Sequence, residues 1–109
     1  MRLVSLTVTG VGVSAPIPLD NYISPFNVGF GVLIAGAPTY SVQHTFDDVF
    51  AAGFNPATAT WFTHPTIVNQ TANADGNYAF PVVAVRLNVT AVGAGTDSAT
   101  LKLIQAGIA

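Results

Sequence analysis

Two histidines and a pair of aspartates are the residues whose chemistry could support a metal site or acid–base catalysis. His44 lies close to Asp47 and Asp48 in the chain, whereas His64 lies further along. Imidazole and carboxylate groups bind divalent metals, and a positioned histidine can act as a general base. However, the cluster has no spaced ligand motif, and His44 falls in the two-residue period of an apolar run. We therefore predict that His44 packs at the edge of the core with one hydrogen bond, and that Asp47 caps a short following turn.

Other catalytic patterns are missing from the sequence. The serines show no nucleophile elbow, the glycines at 10 and 12 lack the lysine of a P-loop, and there is no cysteine. The five carboxylates are all Asp, which is common in turns for backbone reasons. We predict a protein that is not an enzyme and that needs no metal or cofactor.

The aromatic residues provide a second functional hypothesis. A sugar-stacking platform could be built from five of them: Tyr40, Phe50, Phe54, Trp61 and Phe62. Trp61 and Phe62 are adjacent, so they point to opposite faces of one strand, and we expect at least one of them in the core. Because aromatic residues dominate buried surfaces in general, core or subunit interface is the favoured interpretation.

The elements that would position these residues are strands. Apolar and polar residues alternate over residues 3–9, 28–34, 39–46, 60–63, 78–91 and 99–104. In the run 39–46, the period places Tyr40, Val42, His44 and Phe46 on one face. Strands rich in Val, Thr and aromatic residues, separated by Gly, Pro and Asn, predict an all-β fold. We predict one domain over residues 1–109, a single antiparallel β-sandwich that is jelly-roll-like.

Three connections have their own signals. Residues 92–97 join two alternating runs and predict the turn of a β-hairpin with a longer loop. Asp75 and Gly76 form a pair that is typical of a turn with positive φ. The only segment with a helical signal is 46–52, where Asp47 would cap a single turn that ends at Gly53.

Residues 14–26 predict an extended arm. They contain three prolines, which favour extended chain and exclude a central strand, yet they are too apolar for a free linker. The arm either lies across its own domain, which is the favoured alternative, or reaches a neighbouring subunit.

Charge is scarce along the whole chain. Charged residues make up 7% of the 109 residues, with three Lys or Arg, five Asp and no Glu, whereas an ordinary soluble domain has roughly a quarter. So few basic residues argue against binding to nucleic acid or to a membrane surface. Residues 3–9 alternate like a strand, so we do not expect a signal peptide. A surface with so little charge predicts a subunit of a protein assembly.

Four segments together resemble small virion proteins of tailed bacteriophages, of the cement or decoration class. These segments are 44–50, 61–65, 77–90 and 99–107, and the resemblance covers about two-thirds of the chain. It implies a β-sandwich on the capsid exterior that clamps neighbouring capsomers as a dimer or trimer. The implied partners are the major capsid protein and copies of the chain itself, after synthesis in the cytoplasm of a bacterial host. No functional residue is transferred by this resemblance.

Apolar residues that fit poorly into alternating strands are the predicted interface. They are Ile17, Leu19, Tyr22 and Phe26 in the arm, and Phe54, Asn55, Pro56 and Trp61 around the later loop. Three alternatives stay open: a tail or baseplate component, a carbohydrate-binding module, and an extracellular fibre subunit. A fibre subunit should carry a secretion signal, and a sugar binder should expose its aromatic row.

Overall fold

The computed structural model describes the chain except residues 1–3, 20–23, 50, 56, 79–81 and 109. Of the described residues, 24–26 and 106–108 are described by their backbone alone. The described residues form nine strands: β1 (Val4–Thr9), β2 (Gly12–Val13), β3 (Ile17–Pro18), β4 (Ser24–Ala35), β5 (Thr39–Thr45), β6 (Trp61–Thr63), β7 (Ala74–Tyr78), β8 (Ala84–Ala91) and β9 (Ser98–Ile108).

The strands form two antiparallel sheets. The front sheet has the order β1-β9-β4-β7, and the back sheet has the order β2-β8-β5-β6, with β3 also paired to β8. The predicted all-β sandwich is therefore confirmed. No helix occurs among the described residues, and none there could span a membrane.

The core between the sheets follows the predicted alternation. In β4, Val28, Phe30 and Val32 are buried, and they lie beside the buried Leu101 and Leu103 of β9. The back sheet contributes the inward-facing residues of β8 and β5, which include Val85, Leu87, Val89, Tyr40 and Val42. Each of these residues alternates with a residue of the opposite face, because side chains along a strand have a period of two.

The predicted turn at Asp75 and Gly76 is wrong. Both residues lie within β7, where Asp75 pairs with Gly31 and Gly76 pairs with Phe30 of β4. A Cβ at position 76 would lie 3.0 Å from Phe30 and 3.3 Å from Ile67. The glycine is therefore required for close packing in the core, and its φ is not positive.

The predicted hairpin at residues 92–97 is also wrong. The strands on either side of it, β8 and β9, do not pair with each other. Since β8 lies in the back sheet and β9 in the front sheet, the connection crosses between the sheets. Asp97 organises this crossing. Its Oδ2 accepts hydrogen bonds from the amides of Gly93 (2.9 Å), Ala94 (2.8 Å) and Ala37 (3.1 Å). We call residues 36–37 and 92–97 the Asp97 turn.

The predicted helical turn at residues 46–52 does not form. The described part of this segment is a pair of turns, in which the amide of Ala51 donates to Asp48 O and that of Phe54 donates to Ala51 O. Gly53 ends the turns with a φ of 83°. Asp47 caps a different element, because its Oδ2 accepts from the amide of Thr60 at 2.8 Å, just before β6.

The arm lies across its own domain at residues 14–19. Residues 24–26 instead begin β4, a strand with a neighbour on each side, so the prediction that the prolines exclude a central strand is wrong at Pro25, which lies at a register shift between β4 and β9. Ile17 and Pro18 form β3 at the edge of the back sheet, and the amide of Leu19 donates to Val83 O at 2.9 Å. Proline is tolerated at an edge because it has no amide hydrogen to donate. Ile17 and Leu19 are buried in the core. These two side chains are therefore covered by the domain itself, and their contact with a partner stays a prediction.

Candidate functional site

Two buried histidines flank a buried tyrosine between the sheets. His44 of β5 and Tyr78 of β7 meet across the core, with His44 Nδ1 2.9 Å from the Tyr78 hydroxyl. The Tyr78 ring also contacts His64 edge-on, at a centroid distance of 5.0 Å. Burial lowers the pKa of His44, and the nearby His64 lowers it further. Burial also raises the pKa of Tyr78, so in both groups burial favours the neutral form.

His64 is held in one tautomer by its surroundings. Its Nε2 lies 3.0 Å from the carbonyl oxygen of Asn77, which can only accept, so Nε2 carries the proton. Its Nδ1 accepts from the amides of Thr66 and Ile67, both at 3.2 Å. These bonds close the loop after β6 and leave His64 no nitrogen for a ligand.

An aromatic patch lies directly outside this cluster. Phe46 and Phe62 are 54% and 48% exposed, and their ring centroids are 5.7 Å apart. Both rings contact His44, at 5.6 Å for Phe46 and 5.9 Å for Phe62. We define the aromatic patch as Phe46 and Phe62, with His44 as its floor. Phe46 was predicted to share a face with His44, and the two rings do touch, but β5 ends at Thr45 and Phe46 is exposed.

The five aromatic residues of the sugar-stacking hypothesis do not form one platform. Tyr40 is fully buried, and its hydroxyl donates to Ala72 O at 2.7 Å; Phe50 lies outside the described residues. Trp61 and Phe62 do lie in register with Thr45 and His44, and therefore point to opposite faces. Yet Phe62 is exposed and Trp61 is only half-buried. The expectation that one of them is in the core is wrong, because β6 is an edge strand.

Trp61 lies on the outer face of the back sheet. The guanidinium of Arg86 stands 4.1 Å from the centre of its ring, and Arg86 Nε donates to Gln43 Oε1 at 2.8 Å. This cation–π contact partly covers the indole. Trp61 is therefore separated from the aromatic patch by the sheet itself.

The remaining predicted interface residues are spread over different surroundings. Phe54 is half-buried, and Asn55 is exposed, with Oδ1 accepting from the amide of Ala57 at 3.0 Å. Asn55 therefore shapes its own loop. Tyr22, Pro56 and the side chain of Phe26 lie outside what the structure describes.

The prediction for His44 is confirmed: it is buried at the edge of the core and hydrogen-bonded. Its neighbours were not predicted, because the alternating run at residues 78–91 placed Tyr78 in one strand with the residues of β8. Among the described residues, no three His, Asp, Glu or Cys side chains lie close enough to hold a metal ion. The chemistry that this arrangement offers is apolar contact at the exposed rings.

Comparison of the chain with known protein families, with curated proteins and with solved structures finds no match in any of the three. Its function is therefore argued from the geometry.

Proposed function

We propose that this chain is a non-enzymatic structural protein of a virion, which binds the exterior of an assembled phage capsid and clamps neighbouring capsomers. The aromatic patch carries the proposal. Two large rings exposed side by side on a domain with so few charges are typical of a surface that is covered by another protein.

The support under the patch favours a binding role. His44 forms the floor of both rings and is itself fixed by the Tyr78 hydroxyl. Rings that are held in place lose little conformational entropy when a partner covers them. Polar groups around the rest of the surface are mostly uncharged, with 12 Thr, 7 Asn, 5 Ser and 3 Gln in the chain. Contacts of this kind are weakened little by salt.

The strand order supports the jelly-roll class within the β-sandwich fold. Apart from β3, each sheet has four strands, and the chain crosses between the sheets at every connection except β2–β3 and β5–β6. Two interleaved sheets of four strands are the pattern of a double Greek key. A β-sandwich of this class agrees with the fold that the resemblance to decoration proteins implies.

Carbohydrate binding is the alternative that uses the same rings. A sugar stacks on an open, flat aromatic face. The rings of Phe46 and Phe62 are inclined at 62°, and His44 stacks on Phe62 with an interplanar angle of 23°. The two rings therefore form a ridge rather than a platform, which fits a protein groove better than a sugar.

Co-sedimentation with empty shells of the major capsid protein tests the proposal. The wild-type chain should sediment with the shells, and Phe62→Lys should reduce binding at least 10-fold because a charge replaces an apolar contact. Lysine is tolerated at edge strands, so the variant should stay folded by circular dichroism. The matched control is Val13→Lys, at a 51% exposed position of β2 on the opposite edge.

Two results would overturn the proposal. One is wild-type protein that stays in the supernatant with shells but is retained on immobilised glycans, which supports the carbohydrate alternative. The other is equal loss of binding for Phe62→Lys and Val13→Lys, which excludes a specific role for the patch. Electron microscopy of labelled protein on intact particles separates a capsid position from a tail position.

A further inference from the structure

The outer face of the front sheet carries a groove along β4. The inward residues of β4 are large, whereas Gly29 and Gly31 face outward and leave a trough between the neighbouring strands. The groove has a volume of about 360 Å³ and is lined by residues 31–33 and 73–75 and by Lys102. A Cβ at Gly31 would have no neighbour closer than 4.0 Å, so the fold itself does not require glycine there.

Two residues of opposite charge, Lys102 and Asp75, lie on the two sides of this groove at the same position along β4. Gly31 pairs with Lys102 of β9 on one side and with Asp75 of β7 on the other. Adjacent strands are about 4.8 Å apart, so the two charged residues are separated by about 10 Å across the glycine. Both are exposed, and neither forms an ion pair within the described residues.

We propose that a second copy of this chain packs on this face, with the two front sheets face to face around a two-fold axis that runs along β4. Rotation about that axis leaves each residue's position along the strand direction unchanged. It places β9 of one copy opposite β7 of the other. Lys102 of each copy then faces Asp75 of the other, and Gly31 faces Gly31. The exposed Leu33, at 47% exposure, faces its own counterpart.

The charges select this orientation over the other symmetric one. A two-fold axis across the strands would place Lys102 opposite Lys102 and Asp75 opposite Asp75, which is repulsive. With the axis along β4, the Lys102–Asp75 ion pair forms twice, once on each side of the axis. The outward glycines let the two backbones approach closely, since face-to-face sheets with ordinary side chains lie about 10 Å apart.

The size of the face sets the strength of the dimer. Four strands with a spacing of about 4.8 Å and a paired length of about 25 Å give roughly 500 Å² per copy, or about 1,000 Å² in total. This lies at the lower end of specific interfaces, so the dimer should dissociate on dilution. The surface is separate from the aromatic patch and does not depend on the capsid proposal.

Sedimentation equilibrium over a range of concentrations at low salt tests the dimer. The wild-type chain should show a concentration-dependent dimer. Asp75→Lys and Lys102→Asp should each lower the association constant at least 10-fold, because each change creates two like-charge contacts. The double variant Asp75→Lys with Lys102→Asp should restore association to within about threefold of wild type, since the pairs are only exchanged.

Two further variants keep the test specific. Gly31→Val should stay folded and monomeric, because valine suits a strand but fills the groove. Thr90→Lys adds a lysine to the exposed outer face of the back sheet and should leave the dimer unchanged. The proposal is overturned if the wild-type protein is monomeric at all concentrations. It is also overturned if the single charge changes leave the association constant of the dimer unchanged, or if the double variant stays monomeric.

Discussion

The Asp97 turn and the aromatic patch differ in whether their contacts are completed within the domain. At the Asp97 turn, one carboxylate satisfies three backbone amides from two crossing segments. At the patch, two large rings stand exposed over a buried histidine. The first arrangement completes its contacts within the domain. The second leaves apolar area uncovered, which is useful only if another molecule covers it.

The largest effect is expected at Gly36, within the Asp97 turn. Its φ is 85°, and a Cβ there would overlap the Asp97 carboxylate. Gly36→Ala should therefore lower the free energy of unfolding by more than the about 1–2 kcal/mol of backbone strain alone, because the Asp97 carboxylate that accepts from three amides must also move. Urea denaturation measures this change.

Gly53 is the matched control for Gly36→Ala. Its φ of 83° is nearly the same, but a Cβ there would have no neighbour within 4 Å. Gly53→Ala should cost only the backbone strain, about 1–2 kcal/mol. Equal losses for the two variants would show that the Asp97 turn adds nothing beyond its backbone conformation.

A smaller effect is expected beneath the aromatic patch. Tyr78→Phe removes the hydroxyl that lies 2.9 Å from His44 Nδ1 and leaves a buried ring nitrogen without this bond. The free energy of unfolding should fall by about 1–2 kcal/mol, as for other buried hydrogen bonds. Unchanged stability in thermal and urea unfolding would show that the cluster does not support the patch.

The smallest effect is a pH dependence from the same cluster. The pKa of His44 is lowered in the folded state, chiefly by burial and also by His64. The unfolded chain therefore binds this proton more readily, and the free energy of unfolding should decrease as the pH falls below about 6.5. Urea titrations between pH 5 and 8 measure the slope. His44→Asn should reduce it, and an unchanged slope would contradict the assignment to His44.

The sequence predicts the faces of the strands better than their partners. Alternation identified the buried residues of β4, β8 and β9 because one side of each strand faces the core. It could not show that β8 and β9 belong to different sheets, since the period is the same in either case. The Asp75–Gly76 pair suggested a turn, but both residues lie in β7. A glycine stands at position 76 because a side chain there would crowd Phe30 and Ile67.

The candidate site shows the same limit. The position of His44 at the edge of the core followed from its period, and its hydrogen bond was expected. Its partner Tyr78 lies 34 residues away in the other sheet, and no local pattern brings them together. Exposure of Phe46 and Phe62 depends on where the strands end and on β6 lying at an edge, which are properties of the assembled sheets.

Hydrogen–deuterium exchange of the free chain and of the chain bound to capsid shells compares the two regions directly. Binding at the aromatic patch should slow exchange of the amides at residues 45–48 and 61–63, because bound protein excludes water from them. Amides of the Asp97 turn at residues 92–97 should exchange at the same rate in both states. Protection at residues 92–97 with no change at the patch would contradict the central claim that the exposed rings form the binding surface.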